Sequence, residues 1–283
     1  MTTKELKSVF QNSLSEIYSL SEINLLYSIF IEKYLGYSSF QLKQRGNIEV
    51  DQNNEKKLLS CLEELKSGKP YQQILGEAEF FGMTFQVNEH VLIPRPETEE
   101  LLELCIAEIK QKFSEAHSFS IVDIGTGSGI IPIILKKNFP HAEVVSMDIS
   151  AEALEIARKN AEQHHCDIHF MQEDYLHYAF EKNYDIIISN PPYIGLDENP
   201  EIEESVKSFE PNIALFSPTN DPLIFYRKIA CDAKNHLSKK GMIFLEINQK
   251  LGPETLELFE KDFKNTQLIK DISGNDRMIK VSC

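Results

Sequence analysis

The spacing of apolar residues changes character along the chain. Between Thr3 and about Ser67 they recur three and four positions apart, which predicts helices over 4–18, 22–35, 39–43 and 54–67. Leu58, Leu59, Leu62 and Leu65 form one stripe, and Ser21 and Asn54 are candidate N-caps. Val9, Phe10, Leu14, Ile17, Leu25, Leu26, Ile29 and Phe30 are expected to form the core of a small helical bundle. Gly68-Lys69-Pro70 ends that pattern. Phe80-Phe81-Gly82 followed by Thr84 to Val87 then predicts a β-hairpin. After a helix over 97–113, short apolar runs alternate with helical stretches. Predicted strands over 119–124, 142–147, 168–172, 184–188 and 242–247 are separated by helices over 130–139, 150–162 and 222–237. A helix over 253–263 and a hairpin turning at Ser273-Gly-Asn-Asp276 close the chain. Consecutive strands joined by helices imply an α/β fold with a mostly parallel sheet and right-handed crossovers, its last strand antiparallel. Three regions are expected: a helical domain over 1–75, a hairpin linker over 76–96 and an α/β domain over 97–283.

The candidate chemistry gathers at strand ends, where open α/β sheets bind ligands. The run Phe119 to Ile124 opens into Gly125-Thr126-Gly127-Ser128-Gly129, a turn whose glycines let a ligand touch the backbone. The spacing is neither the dinucleotide fingerprint nor a P-loop, since no Gly-Lys-Ser/Thr follows. The next strand ends in Asp148, about where nucleotide folds place a ribose-binding acid, although Ser150 there also suits a helix cap. The third ends in Glu173-Asp174-Tyr175, with Asp174 placed to accept an adenine amine and Tyr175 to lie against its ring. The fourth ends in Asn190-Pro191-Pro192-Tyr193. The Asn190 side-chain oxygen and the Pro191 carbonyl are two acceptors for one planar NH2, and both prolines fix φ. Tyr193 is suited to stack on a flat amide or base.

The pair Asp123-Ile-Gly-Thr-Gly-Ser-Gly129 and Asn190-Pro-Pro-Tyr193 resembles class I S-adenosylmethionine-dependent methyltransferases that act on planar NH2 groups. By itself the pair leaves DNA adenine, RNA guanine and protein glutamine open as acceptors. Further segments narrow the resemblance: Pro70-Tyr-Gln-Gln-Ile-Leu-Gly76, Glu79-Phe-Phe-Gly82, Leu92-Ile-Pro-Arg-Pro-Glu-Thr-Glu99, Glu210-Pro211, Phe225-Tyr-Arg227 and Leu245-Glu-Ile247 are similar to the HemK/PrmC family. The resemblance covers nearly the whole chain. It implies a Rossmann-like catalytic sheet behind an N-terminal substrate-recognition domain, and S-adenosylmethionine as methyl donor. It also implies as acceptor the glutamine amide in the Gly-Gly-Gln loop of peptide chain release factors. A ribosomal-protein glutamine or an exocyclic amine in nucleic acid are the alternatives. The implied cofactor residues are Gly125 to Gly129, Asp148, Asp174, Tyr175 and Asn190; the implied substrate residues are Asn190, Pro191, Pro192 and Tyr193. Arg95 and Glu99 suit either site support or a local ion pair at the domain junction. For Glu246 the resemblance implies a supporting role near the site, the other reading being a strand-terminal acid. Asp271 and Arg277 read as structural. The sequence departs from the family at Ser217-Pro-Thr-Asn-Asp221-Pro222, where Gly-rich segments are usual, and at Ile247-Asn248. It has no Trp, and Tyr175 stands where the family often has one.

Composition removes other classes. At 283 residues with 42% hydrophobic and 26% charged positions, the chain has the make-up of an ordinary globular protein. No apolar run approaches the roughly 18 residues of a membrane span, and the polar N-terminus lacks a signal-peptide core. Cys61, Cys105, Cys166, Cys231 and Cys283 are scattered and odd in number, as expected of reduced thiols in a cytoplasmic monomer without a bound metal. The net charge of −15 argues against a direct nucleic-acid partner, which would need a basic stripe, and suits a cationic protein.

Overall fold

The computed structural model describes residues 1–113, 118–201 and 203–283. It divides into two compact units, Met1–Leu75 and Gly76–Cys283.

The first unit is helical, with its main helices over Thr3–Leu14, Leu20–Leu35, Ser39–Arg45 and Gln52–Lys66. Leu6, Phe10, Leu14, Ile23, Phe30, Ile31 and Leu58 are buried together, each contributing roughly 1.5–3 kcal/mol on removal from water. Two caps differ from expectation. Ser19, not Ser21, starts the second helix, because Glu22 lies three residues on and reaches back to the Ser19 amide at 2.7 Å, closing a capping box. Asp51, not Asn54, starts the fourth, its carboxylate accepting the amides of Asn53 and Asn54 at 3.0 Å. The first helix stops at Leu14, where the amides of Ile17 and Tyr18 fold back onto the Leu14 carbonyl. Ile17 therefore leaves the stripe and is exposed. Leu25 is exposed too, because the buried face of its helix runs through Ile23, Leu26, Tyr27 and Phe30.

Among the described residues the second unit has nine strands: β1 Glu77–Phe80, β2 Met83–Gln86, β3 Ser120–Ile124, β4 Glu143–Asp148, β5 His169–Gln172, β6 Tyr184–Ser189, β7 Leu237–Glu246, β8 Asn265–Lys270 and β9 Asp276–Ser282. β1 and β2 form the hairpin. The other seven form one sheet in the order β5-β4-β3-β6-β7-β9-β8, parallel from β5 to β7, with β9 antiparallel between β7 and β8. The central strands are apolar on both faces, as a sheet covered on both sides requires. Ile121, Ile186, Ile188, Met242 and Phe244 pack with the helices Pro96–Lys112 and Ile130–Asn138. The alternate residues Val122, Ile124, Ile187, Ile243 and Leu245 pack with Ile224–His236 and Gly252–Glu260.

The strand order reverses direction between β3 and β6. The chain runs outward from β3 through β4 to β5, then returns to lay β6 on the other side of β3. That switch point leaves a crevice at the carboxyl edge of the sheet.

Candidate functional site

Strand register decides which residues meet at the crevice. Ile124 pairs with Met147 on one side and Ser189 on the other, so Gly125, Asp148 and Asn190 leave the sheet side by side. The turn after β3 folds back onto β4, with the amides of Gly125 and Thr126 on the Met147 carbonyl at 2.9 and 3.0 Å. Gly127 has a φ of +53° and its amide donates to Asp148 Oδ2 at 2.9 Å. Gly129 has a φ of +82°, and a Cβ there would lie 3.0 Å from the Ala157 Cβ, so only glycine lets the helix Ala151–Gln163 approach. Buried Asn160 on that helix accepts the Gln86 amide and donates to the carbonyls of Gln86 and Ser128, tying the hairpin to the turn.

Asp123 lies beneath the turn and is wholly buried. Its Oδ2 accepts from the Ser146 hydroxyl at 2.6 Å, while its Oδ1 and the Thr126 Oγ1 have no hydrogen-bond partner among the described residues. Burial pushes its carboxyl up from 3.8 to about 7, against the opposing pull of the Ser146 and Thr126 hydroxyls. A raised folded-state value means that this group's stabilisation is complete below the ordinary carboxyl range and is lost as pH rises through about 7. Asp123→Asn, which stays neutral and turns its NH2 toward Thr126, is expected to gain on the wild type by on the order of 2–3 kcal/mol between pH 5 and pH 8. Urea midpoints at the two pH values measure this, and a difference that does not move with pH would remove the reading.

The acids on the outer strands are held by local bonds. Asp148 accepts from the amides of Ser150 and Gly127, and burial raises its carboxyl above the usual range against those bonds. Ser150 caps the following helix through the Ala153 amide, so Asp148 is not the cap. Asp174 accepts from the Leu176 amide at 3.0 Å and pairs with His177 Nδ1 at 2.7 Å. Tyr175 is buried against Phe180, its hydroxyl donating to Asp232 at 2.9 Å and Lys228 Nζ lying 4.9 Å from its ring centre.

Asn190 stands at the end of a chain of hydrogen bonds. Its Nδ2 donates to Thr98 Oγ1 at 3.2 Å, and Thr98 donates to Glu246 Oε2 at 2.6 Å. Tyr193 donates to the other oxygen, Glu246 Oε1, at 3.2 Å. Glu246 is buried, and burial raises its carboxyl. Burial and the neighbouring Glu246 push the Tyr193 phenol up as well. Buried Glu210 accepts from the Ile93 amide at 2.9 Å and pairs with Arg95 at 2.5 Å, pinning the segment before the helix Pro96–Lys112. Glu99 accepts the amide of Phe81, a non-glycine residue at positive φ in the hairpin turn. Asp271 and Arg277 pair across the closing hairpin at 3.1 Å.

A cleft of about 780 Å³ follows these strand ends, within the range of small-molecule sites. Gly125 to Ser128, Asp148, Asp174, Tyr175, Asn190 and Pro192 line it. Gly129 does not; it turns away into the helix. Pro191 and Tyr193 instead line an adjoining cleft of about 340 Å³, with Asn190, Leu92, Arg95 and Ala214 common to both. Thr98 has no role legible in the sequence, Glu210 has none beyond the family segment, and Glu246 is ambiguous there. The signal for Thr98 and Glu210 was present only as the segments Ile93-Pro-Arg-Pro-Glu-Thr98 and Glu210-Pro211, without a partner in view.

Comparison with known proteins identifies what the chain is similar to. Residues 104–206 match the "Methyltransferase small domain". The chain is 45% identical to a release factor glutamine methyltransferase of Flavobacterium psychrophilum, over 100% of this chain and 99% of that one. It is 38% identical to a protein of the same name from Bacteroides thetaiotaomicron, over 95% and 96% of the two. A solved methyltransferase from Pyrococcus furiosus shares the fold at a TM-score of 0.50 and 17% identity, over 82% of this chain and 98% of that one.

Proposed function

The chain belongs to the release factor glutamine methyltransferase family, and from that premise we propose that it transfers a methyl group from S-adenosylmethionine to the glutamine side-chain amide in the Gly-Gly-Gln loop of peptide chain release factors. One observation carries the reading: Asn190 joins the two clefts, with its Nδ2 committed to Thr98 and its Oδ1 left for an incoming N–H.

The larger cleft fits the donor. Space for a ligand opens where a Cβ of Gly127 would lie, the buried Thr126 hydroxyl awaits a partner, and acids follow on two further strand ends. Gly125 to Ser128 would hold the amino-acid portion, Asp148 the ribose, and Asp174 with Tyr175 the base. When bound, S-adenosylmethionine supplies an electrophilic methyl group. The protein's share of the reaction is orientation. An amide nitrogen is a weak nucleophile, and fixing the geometry of two reactants recovers about 7–11 kcal/mol of barrier. Asn190 Oδ1 and the Pro191 carbonyl accept the two N–H bonds of the substrate NH2 and stabilise the positive charge that grows on nitrogen during attack. As the N–CH3 bond forms and the S–CH3 bond breaks, one of those N–H protons is released to solvent. Tyr193, held by Glu246, forms a wall of the smaller cleft, where the amide enters.

Incubation with labelled methyl donor, purified release factors, total RNA and DNA tests the function. Label on release factor alone is expected. Label on nucleic acid with release factor unmarked would replace the reading with an exocyclic amine methyltransferase, which the net charge of −15 disfavours. Among the described residues no helix is long and apolar enough to cross a membrane. We propose that the enzyme acts in the cytoplasm, where its proposed substrate works, and as a monomer.

The helical unit Met1–Leu75 is proposed to recognise the release factor. It has no strand ends and no Gly-rich turn to hold the donor. Deleting it should leave donor affinity within a few-fold of the full chain and sharply lower methylation of intact release factor. Normal methylation by the truncated protein would make the unit a stability element.

A further inference from the structure

Thr98, Glu246 and Asn190 come from three distant parts of the chain, and their bonds run in one direction. We infer that Thr98, held by Glu246, is the positioning residue that fixes the Asn190 amide with its oxygen toward the substrate, and so makes the site choose an amide over a carboxylate. The inference rests on the proposed glutamine substrate.

Protons decide the direction. A threonine hydroxyl has one proton to give. It goes to Glu246 Oε2 at 2.6 Å, the short distance of a hydrogen bond to a carboxylate. Thr98 Oγ1 is then only an acceptor toward Asn190, which must turn its NH2 that way, as the 3.2 Å contact shows. An asparagine amide turned by 180° would present NH2 to the clefts, repelling a substrate NH2 and attracting a carboxylate. Little in the side chain's own shape resists that turn, because its two ends are nearly equal in size. The direction comes from Glu246, which is 1% exposed and takes a second hydroxyl from Tyr193. Charged and titratable groups around it are Arg277 on β9, Glu97 on the helix Pro96–Lys112, Tyr193 after β6 and Tyr226 on the helix Ile224–His236. Tyr226 binds the Glu246 backbone carbonyl at 2.9 Å and leaves the carboxylate to Thr98 and Tyr193.

The test compares binding of two short peptides, one carrying Gly-Gly-Gln and one Gly-Gly-Glu, to the full chain by calorimetry, with the methyl-donor product present. Thr98→Val keeps the shape and removes the hydroxyl. Thr98→Ser keeps the hydroxyl. The wild type is expected to prefer the glutamine peptide by at least tenfold, Thr98→Ser to retain that preference, and Thr98→Val to lose most of it while affinity for the donor product stays within a few-fold. Thr98→Ala, which buries no mismatched methyl, is expected to behave like Thr98→Val if the latter folds poorly. Preserved preference in Thr98→Val or Thr98→Ala overturns the inference, as does loss of preference in Thr98→Ser. A wild type without preference defeats the glutamine reading itself, separately from the relay, and the relay falls with it.

Discussion

A release factor whose loop glutamine is changed to glutamate is expected to leave the enzyme unmethylated. In the proposed binding mode Asn190 Oδ1 and the Pro191 carbonyl, from neighbouring residues that line the smaller cleft, are the two acceptors, and a side-chain amide satisfies both with one nitrogen. Glutamate at neutral pH offers no N–H and brings a negative charge against two carbonyl oxygens and an enzyme of net charge −15. It also lacks the nitrogen on which the methyl would land. A site built to bind particular donors rejects an analogue without them by about 10⁴-fold or more. Lysine would fail for a different reason: its ammonium has no lone pair free at neutral pH. The measurement is the intact mass of release factor after incubation with enzyme and methyl donor. One added methyl is expected on the natural protein and none on the Gln→Glu variant. Methylation of the glutamate variant at a comparable rate would mean that the two acceptors do not select the substrate.

The parts of this site that could be read from the chain are those whose chemistry is local. Gly125 to Gly129 and Asn190 to Tyr193 declare themselves because the turn and the rigid acceptor pair are made by neighbouring residues. Asp148 was legible as a strand-end acid, and its attachment to the Gly127 amide follows once β3 and β4 are paired in register. Thr98 and Glu246 lie 148 positions apart, each inside a segment that carries the family resemblance, but nothing in either segment names the other as its partner. Only the order of strands, which sets β7 beside β6 and the helix Pro96–Lys112 against that face, brings them together. Glu210 was hidden in the same way, its partners Ile93 and Arg95 being more than a hundred residues earlier. The helix caps missed at Ser21 and Asn54 show a smaller failure. Ser, Asn and Asp crowd those boundaries, and the choice among them depends on which side chain reaches back to an amide, as Glu22 does for Ser19. The alternation of Ile121, Ile186 and Ile188 on one face with Val122 and Ile187 on the other was invisible as a pattern, because a strand buried on both sides is uniformly apolar.

Asn190→Ala is expected to lower turnover by about 10²–10³-fold, roughly 2.7–4 kcal/mol, the loss that follows removal of one dipole aimed at developing charge. The substitution deletes the Oδ1 acceptor and releases the Thr98 hydroxyl from its donor, but it leaves the Gly125 to Ser128 turn bound to Met147 and Asp148. Asn190 also lines the donor cleft, so donor affinity should fall somewhat, but far less than turnover, and the main defect falls on kcat with release factor as substrate. Asn190→Asp sharpens the test. It preserves side-chain size and an acceptor oxygen, yet it removes the N–H that Thr98 accepts and sets a second carboxylate on a hydroxyl whose single proton already serves Glu246. It should consequently be no more active than Asn190→Ala despite being nearly isosteric with the natural residue. Steady-state rates for the two variants, alongside donor binding by calorimetry, give the comparison. Turnover within a few-fold of wild type in Asn190→Ala would mean that positioning resides in the backbone carbonyl of Pro191 alone, and activity restored by Asn190→Asp would mean that an oxygen at this position suffices whatever holds it.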